Sequence, residues 1–65
     1  MTNFTVEEME GDSAVREISV VALSRIHAVM KTVKRPIKAG REQGKGWIRV
    51  TQNTSGLTGV FHFTD

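Results

Sequence analysis

The stretch Lys45-Gly-Trp-Ile-Arg-Val-Thr-Gln-Asn-Thr-Ser-Gly-Leu-Thr-Gly-Val-Phe-His-Phe-Thr64 decides the fold, because one strand register explains nearly all of it. Pairing Asn53 with Gly56 across Thr54-Ser55 makes a β-hairpin. Ile48 then lies opposite Phe61, Val50 opposite Gly59 and Gln52 opposite Leu57, with Phe63 next on that face. Trp47, Arg49, Thr51, Thr58, Val60 and His62 take the other face. Aliphatic and Phe residues are thus sorted from a mixed, partly cationic set, as period-two geometry requires of a sheet covered on one face.

Immediately upstream, Gly40-Arg41-Glu42-Gln43-Gly44-Lys45-Gly46 holds three glycines and two cations but no large apolar residue, which predicts a mobile basic connector. It is not a P-loop, since the spacing and the Ser/Thr after the lysine are absent. Before it, residues 22–35 switch to helical periodicity. Leu23, Ile26, Met30 and Val33 recur at spacings of three, four and three, which predicts a core-facing stripe flanked by Ala22 and Val29. Ser24, His27, Lys31, Lys34 and Arg35 fall on the polar arc, and Pro36 ends the regular helix. One further turn anchored by Ile37 is expected before Gly40.

Residues 3–20 read as a second hairpin with Gly11-Asp12-Ser13 as its loop. Phe4 then faces Val20, Val6 faces Ile18 and Glu8 faces Arg16. A rival helical reading uses Thr5-x-x-Glu8 as a capping box and Ser13 as the cap of a long helix to Lys34. Against it, Ile18-Ser-Val-Val21 favours extended chain. The expectation is therefore an α+β domain over residues 1–65, of ββαββ type, with one amphipathic helix packed on one face of an antiparallel sheet.

Size and charge bound the function. A chain of 65 residues sits near the lower limit for a core without staples, and it has no cysteine, which removes disulfides, thiolate metal sites and cysteine nucleophiles. No apolar run approaches the ~20 residues of a membrane span. A cytoplasmic protein with no membrane partner is expected. The net charge of +2 conceals segregation: residues 1–17 carry Glu7, Glu8, Glu10, Asp12 and Glu17 against Arg16. Residues 18–49 carry eight cations against Glu42 alone. Such a distribution points to a polyanionic or acidic partner.

His27 and His62 lie on different elements, and neither has a carboxylate or serine at a triad or dyad spacing, so no catalytic residue, metal ligand or cofactor is expected. The sharper expectation is a non-enzymatic binder of nucleic acid or a nucleoprotein complex. Its contact set would be Lys31, Lys34, Arg35, Lys38, Arg41, Lys45, Trp47 and Arg49, combining phosphate neutralisation with an aromatic able to stack on bases. Trp47 has a competing role in burial, as large aromatics of small domains usually do. The alternative is a protein-interaction module, such as a small phage- or plasmid-type inhibitor, or a homodimer. It would act through an exposed sheet face bearing Met9, Val15, Trp47, Val60 and His62.

Overall fold

The computed structural model describes residues 1–44 and 46–64. Strand β1 (Thr2–Glu10) and β2 (Ser13–Ala22) precede helix α1 (Arg25–Thr32), followed by β3 (Ile37–Ala39), β4 (Trp47–Gln52) and β5 (Thr58–Phe63). The strands form one antiparallel sheet in the order β2-β1-β4-β5-β3. The two hairpins meet through β1 and β4, where Val6 pairs with Val50. The architecture is α+β, strand-dominated, and it differs from a ββαββ layout by the short β3. Ile37 does not extend the helix, which ends at Thr32 rather than Arg35 and leaves Val33 extended at its C-cap, ahead of Pro36; Ile37 instead pairs with Phe63 at the margin of the sheet.

The registers follow the alternation of the sequence. Ile48 pairs with Phe61, Val50 with Gly59 and Trp47 with His62. Phe4 pairs with Val20, Val6 with Ile18 and Glu8 with Arg16, so residues 3–20 are strand and the helical reading of them is set aside. Two details differ. The β4–β5 loop is the five residues 53–57 rather than two: the Gly56 N–H donates to the Gln52 carbonyl at 2.7 Å, and Gly56 takes φ 75°. Asn53 is diverted to β1 instead, its N–H donating to the Asn3 carbonyl and its Oδ1 accepting from Thr5 Oγ1 at 2.9 Å. The first hairpin slips by one residue between Glu8 and Met9, leaving Val15 as the extra residue of a bulge and a turn of only Gly11-Asp12.

The core lies between α1 and the inner sheet face, where Phe4, Val6, Ile48, Val50, Phe61 and Phe63 meet Ala28, Val29 and Val33. Fully burying each Val or Ile contributes about 1.5–3 kcal/mol. The helix corrects two expectations. It starts at Arg25, not Ala22, because Val20-Val21-Ala22 stays extended and Ser24 caps the helix, accepting from the His27 N–H at 3.2 Å. Its buried residues are Ala28 and Val29, whereas Leu23, Ile26 and Met30 are 74%, 45% and 62% exposed. Small and β-branched side chains let the helix approach the β-branched sheet closely, which rotates the bulkier stripe outward.

Both long connections cross the sheet. Helix α1 carries the chain from β2 at one margin toward β3 at the other, over the inner face. The residues between β3 and β4 must pass β5, which lies between those strands, and Gly40, Arg41 and Glu42 make their contacts on the outer face. The described part of this connection is fastened there: the Gly40 N–H donates to the Val60 carbonyl, and the Arg41 guanidinium stacks on Trp47, 4.1 Å from the ring centroid.

Candidate nucleic-acid interface

The outer face was expected to be open; at one end it is roofed by the chain itself. Met9, Trp47 and His62 are buried beneath the connector, at 4%, 6% and 8% exposure. Trp47 Nε1 donates to the Gly11 carbonyl at 2.7 Å, tying the first hairpin's turn to β4. His62 places Nδ1 3.0 Å from the Gly40 carbonyl and Nε2 3.4 Å from Glu42, an ion pair only when the ring is protonated. With Arg41 on one side of its ring and the sheet on the other, Trp47 has no free face for a base to stack on. Trp47 is thus buried within the fold, in keeping with the competing role of burial named for it. Of the alternative protein-contact set, only Val15 and Val60 retain appreciable surface.

The cations divide into engaged and outward groups. Arg49 lies opposite Glu7 and donates through Nε and a terminal nitrogen to its two carboxylate oxygens at 2.9 and 3.0 Å. This bidentate bond holds the Glu7 carboxyl below its ordinary value and raises Arg49. Glu17, also opposite Glu7, adds a like charge that the arginine offsets. Arg49 therefore serves as an internal counter-ion. Lys31 Nζ donates to the Val21 carbonyl at 2.7 Å, which draws it toward the β2 margin and away from the other cations.

Lys34, Arg35, Lys38 and Arg41 gather along the opposite margin, before, on and after β3. Lys34 and Lys38 are exposed, and Lys38 shares the outer face with its pair partner His62. The Arg35 guanidinium lies over Phe63, 3.8 Å from the ring centroid. Arg35 and Arg41 also line a cleft of about 600 Å³ together with Glu8 and Glu10, of which Glu8 is paired with Arg16 at 2.8 Å. Lys45 lies outside the described residues.

Local sequence explains this margin: the stretch 18–41 contains no Asp or Glu, and the chain leaves the helix at Val33, so that Lys34 and Arg35 fall in the short link that leads onto β3. Sequence reasoning missed the Arg41–Trp47 stack and the Trp47–Gly11 bond, which join residues 6 and 36 positions apart. Glycine at 11 marked a turn but not a carbonyl acceptor. The two histidines are not brought together, since His27 sits on α1, its Nδ1 accepting from the Leu23 N–H at 3.1 Å, and His62 lies across the sheet. Among the described residues no helix is long and apolar enough to cross a membrane. Compared with known protein families, with characterised proteins and with solved structures, the chain matches none.

Proposed function

We propose that this protein is a small non-enzymatic binder of nucleic acid, free or within a nucleoprotein complex, that grips the phosphate backbone with the β3 margin. The observation that carries this reading is the acid-free stretch 18–41, which presents exposed Lys34 and Lys38 side by side with Arg35 and Arg41 at one margin of the sheet. Lysine and arginine at the protein surface attract a polyanion over a Debye length and neutralise phosphates on contact. Because Trp47 is occupied internally, the contact is electrostatic rather than built on stacking, and it tolerates many sequences.

The test is the salt dependence of oligonucleotide binding. Neutralising three to four phosphates gives a slope of log affinity against log salt of roughly −3. Lys34→Gln with Lys38→Gln removes two of those contacts and flattens the slope by about two units. Both side chains are exposed, so the fold and melting temperature should be retained. An affinity that ignores salt, or a slope unchanged in the double variant, refutes the reading.

A further inference from the structure

The helix leaves outward the residues whose spacing marks an apolar stripe. Ile26 and Met30, four residues apart, lie on one flank of α1, and Leu23 is exposed just ahead of the Ser24 cap. Leu23 and Ile26 wall a groove of about 420 Å³ that Phe4 and Phe61 also line, with Gln52 at its hairpin end. Leu57, 59% exposed, lies beside that end, its carbonyl accepting from the Gln52 N–H. Four large apolar side chains thus surround one depression. Arg25 is the one charged group lining it among the described residues.

We infer that this groove docks an apolar segment of a protein partner that bears acidic residues beside its apolar ones. Helix-in-groove recognition needs apolar anchors in a concave, apolar-walled seat, and the groove supplies the seat. Charge chooses the partner. A wholly apolar segment would bury Arg25 without a counter-ion, whereas a carboxylate beside the anchors would accept its guanidinium bidentately. A second copy is disfavoured on the same ground, because helix-to-helix packing would bring Arg25 and Lys31 of two acid-free helices together. The groove and the β3 margin use different residues, so the inference stands apart from nucleic-acid binding.

The probes are two synthetic amphipathic peptides with leucines at spacings of three and four, one with glutamates at the intervening positions and one with lysines. Fluorescence anisotropy with the intact protein should show the glutamate peptide binding at least roughly tenfold more tightly than the lysine peptide. Leu23→Ser with Met30→Ser should lose at least roughly tenfold of that affinity while melting as the parent does, because both side chains are exposed. Arg25→Gln should reduce the preference for glutamate over lysine. The inference is overturned by equal binding of the two peptides, or by no binding. A glutamate peptide held equally by the parent and by L23S/M30S would be sitting on the β3 margin, and that also overturns it. Sedimentation equilibrium closes the remaining route: a dimer that L23S/M30S dissolves assigns the stripe to a second copy instead.

Discussion

Trp47→Phe and Trp47→Ala test whether this ring belongs to the core or to a ligand. The indole is 6% exposed, covered by Arg41, and bonded through Nε1 to the Gly11 carbonyl at 2.7 Å. Phenylalanine keeps most of the packing and loses the donor. Gly11 is exposed, so water can take over its carbonyl and the cost stays near about 1 kcal/mol, or a melting temperature roughly 4–8 °C lower for a domain of this size. Alanine also removes the ring, at ~3–5 kcal/mol, and the cation–π contact, at ~0.5–1 kcal/mol. At roughly 0.05–0.15 kcal/mol per residue, a 65-residue chain holds only about 3–10 kcal/mol in all, so Trp47→Ala should be largely unfolded at room temperature. Thermal melts followed by circular dichroism read both variants without relying on the lost fluorophore. In the parent, Trp47 emission should resist acrylamide and stay unchanged on adding oligonucleotide. If Trp47→Ala melts with the parent and oligonucleotide quenches the parent's emission, the burial argument fails.

Ile48→Ala, at a position with no exposed surface, should cost ~2–5 kcal/mol in urea denaturation, whereas Met30→Ser should stay within about 0.5 kcal/mol of the parent; equal effects would contradict the helix orientation. The Glu7–Arg49 pair sets an acid dependence. Because folding lowers the Glu7 carboxyl, its contribution is present above the unfolded carboxylate value and is lost as pH falls through the folded one. Glu7→Gln should therefore be less stable than the parent at neutral pH, with the gap closing on acidification; a gap independent of pH would refute the pairing. Gly56→Ala forces a side chain into φ 75° and should cost about 1 kcal/mol or more, read as a lower melting temperature with an unchanged spectrum.

Alternation in two hairpins was legible because period-two patterns leave few registers that bury Phe4, Val6, Ile48, Val50, Phe61 and Phe63 together. What the pattern could not reveal depends on contacts between distant residues. Helical spacing marks a stripe of large apolar residues, but which flank meets the sheet is set by how closely the backbones approach, and Ala28 and Val29 win that contest over Leu23, Ile26 and Met30. The candidate site divides in the same way. Clustering of Lys34, Arg35, Lys38 and Arg41 follows from their closeness in sequence. The removal of Trp47 and Arg49 does not, since their partners Gly11 and Glu7 lie 36 and 42 residues away.

Strands β1 and β5 run in the same direction, because β4 lies between them and is antiparallel to both. The start of β1 and the end of β5 therefore emerge at opposite ends of the sheet. Thr2 lines the apolar groove, while the Thr64 N–H donates to the Pro36 carbonyl next to Arg35. A purification tag or fusion partner joined ahead of Thr2 will crowd the groove and spare the cationic margin; one joined after Thr64 will do the reverse. Tagging one end and then the other turns that polarity into a way of masking each surface in turn without changing a single residue of the fold.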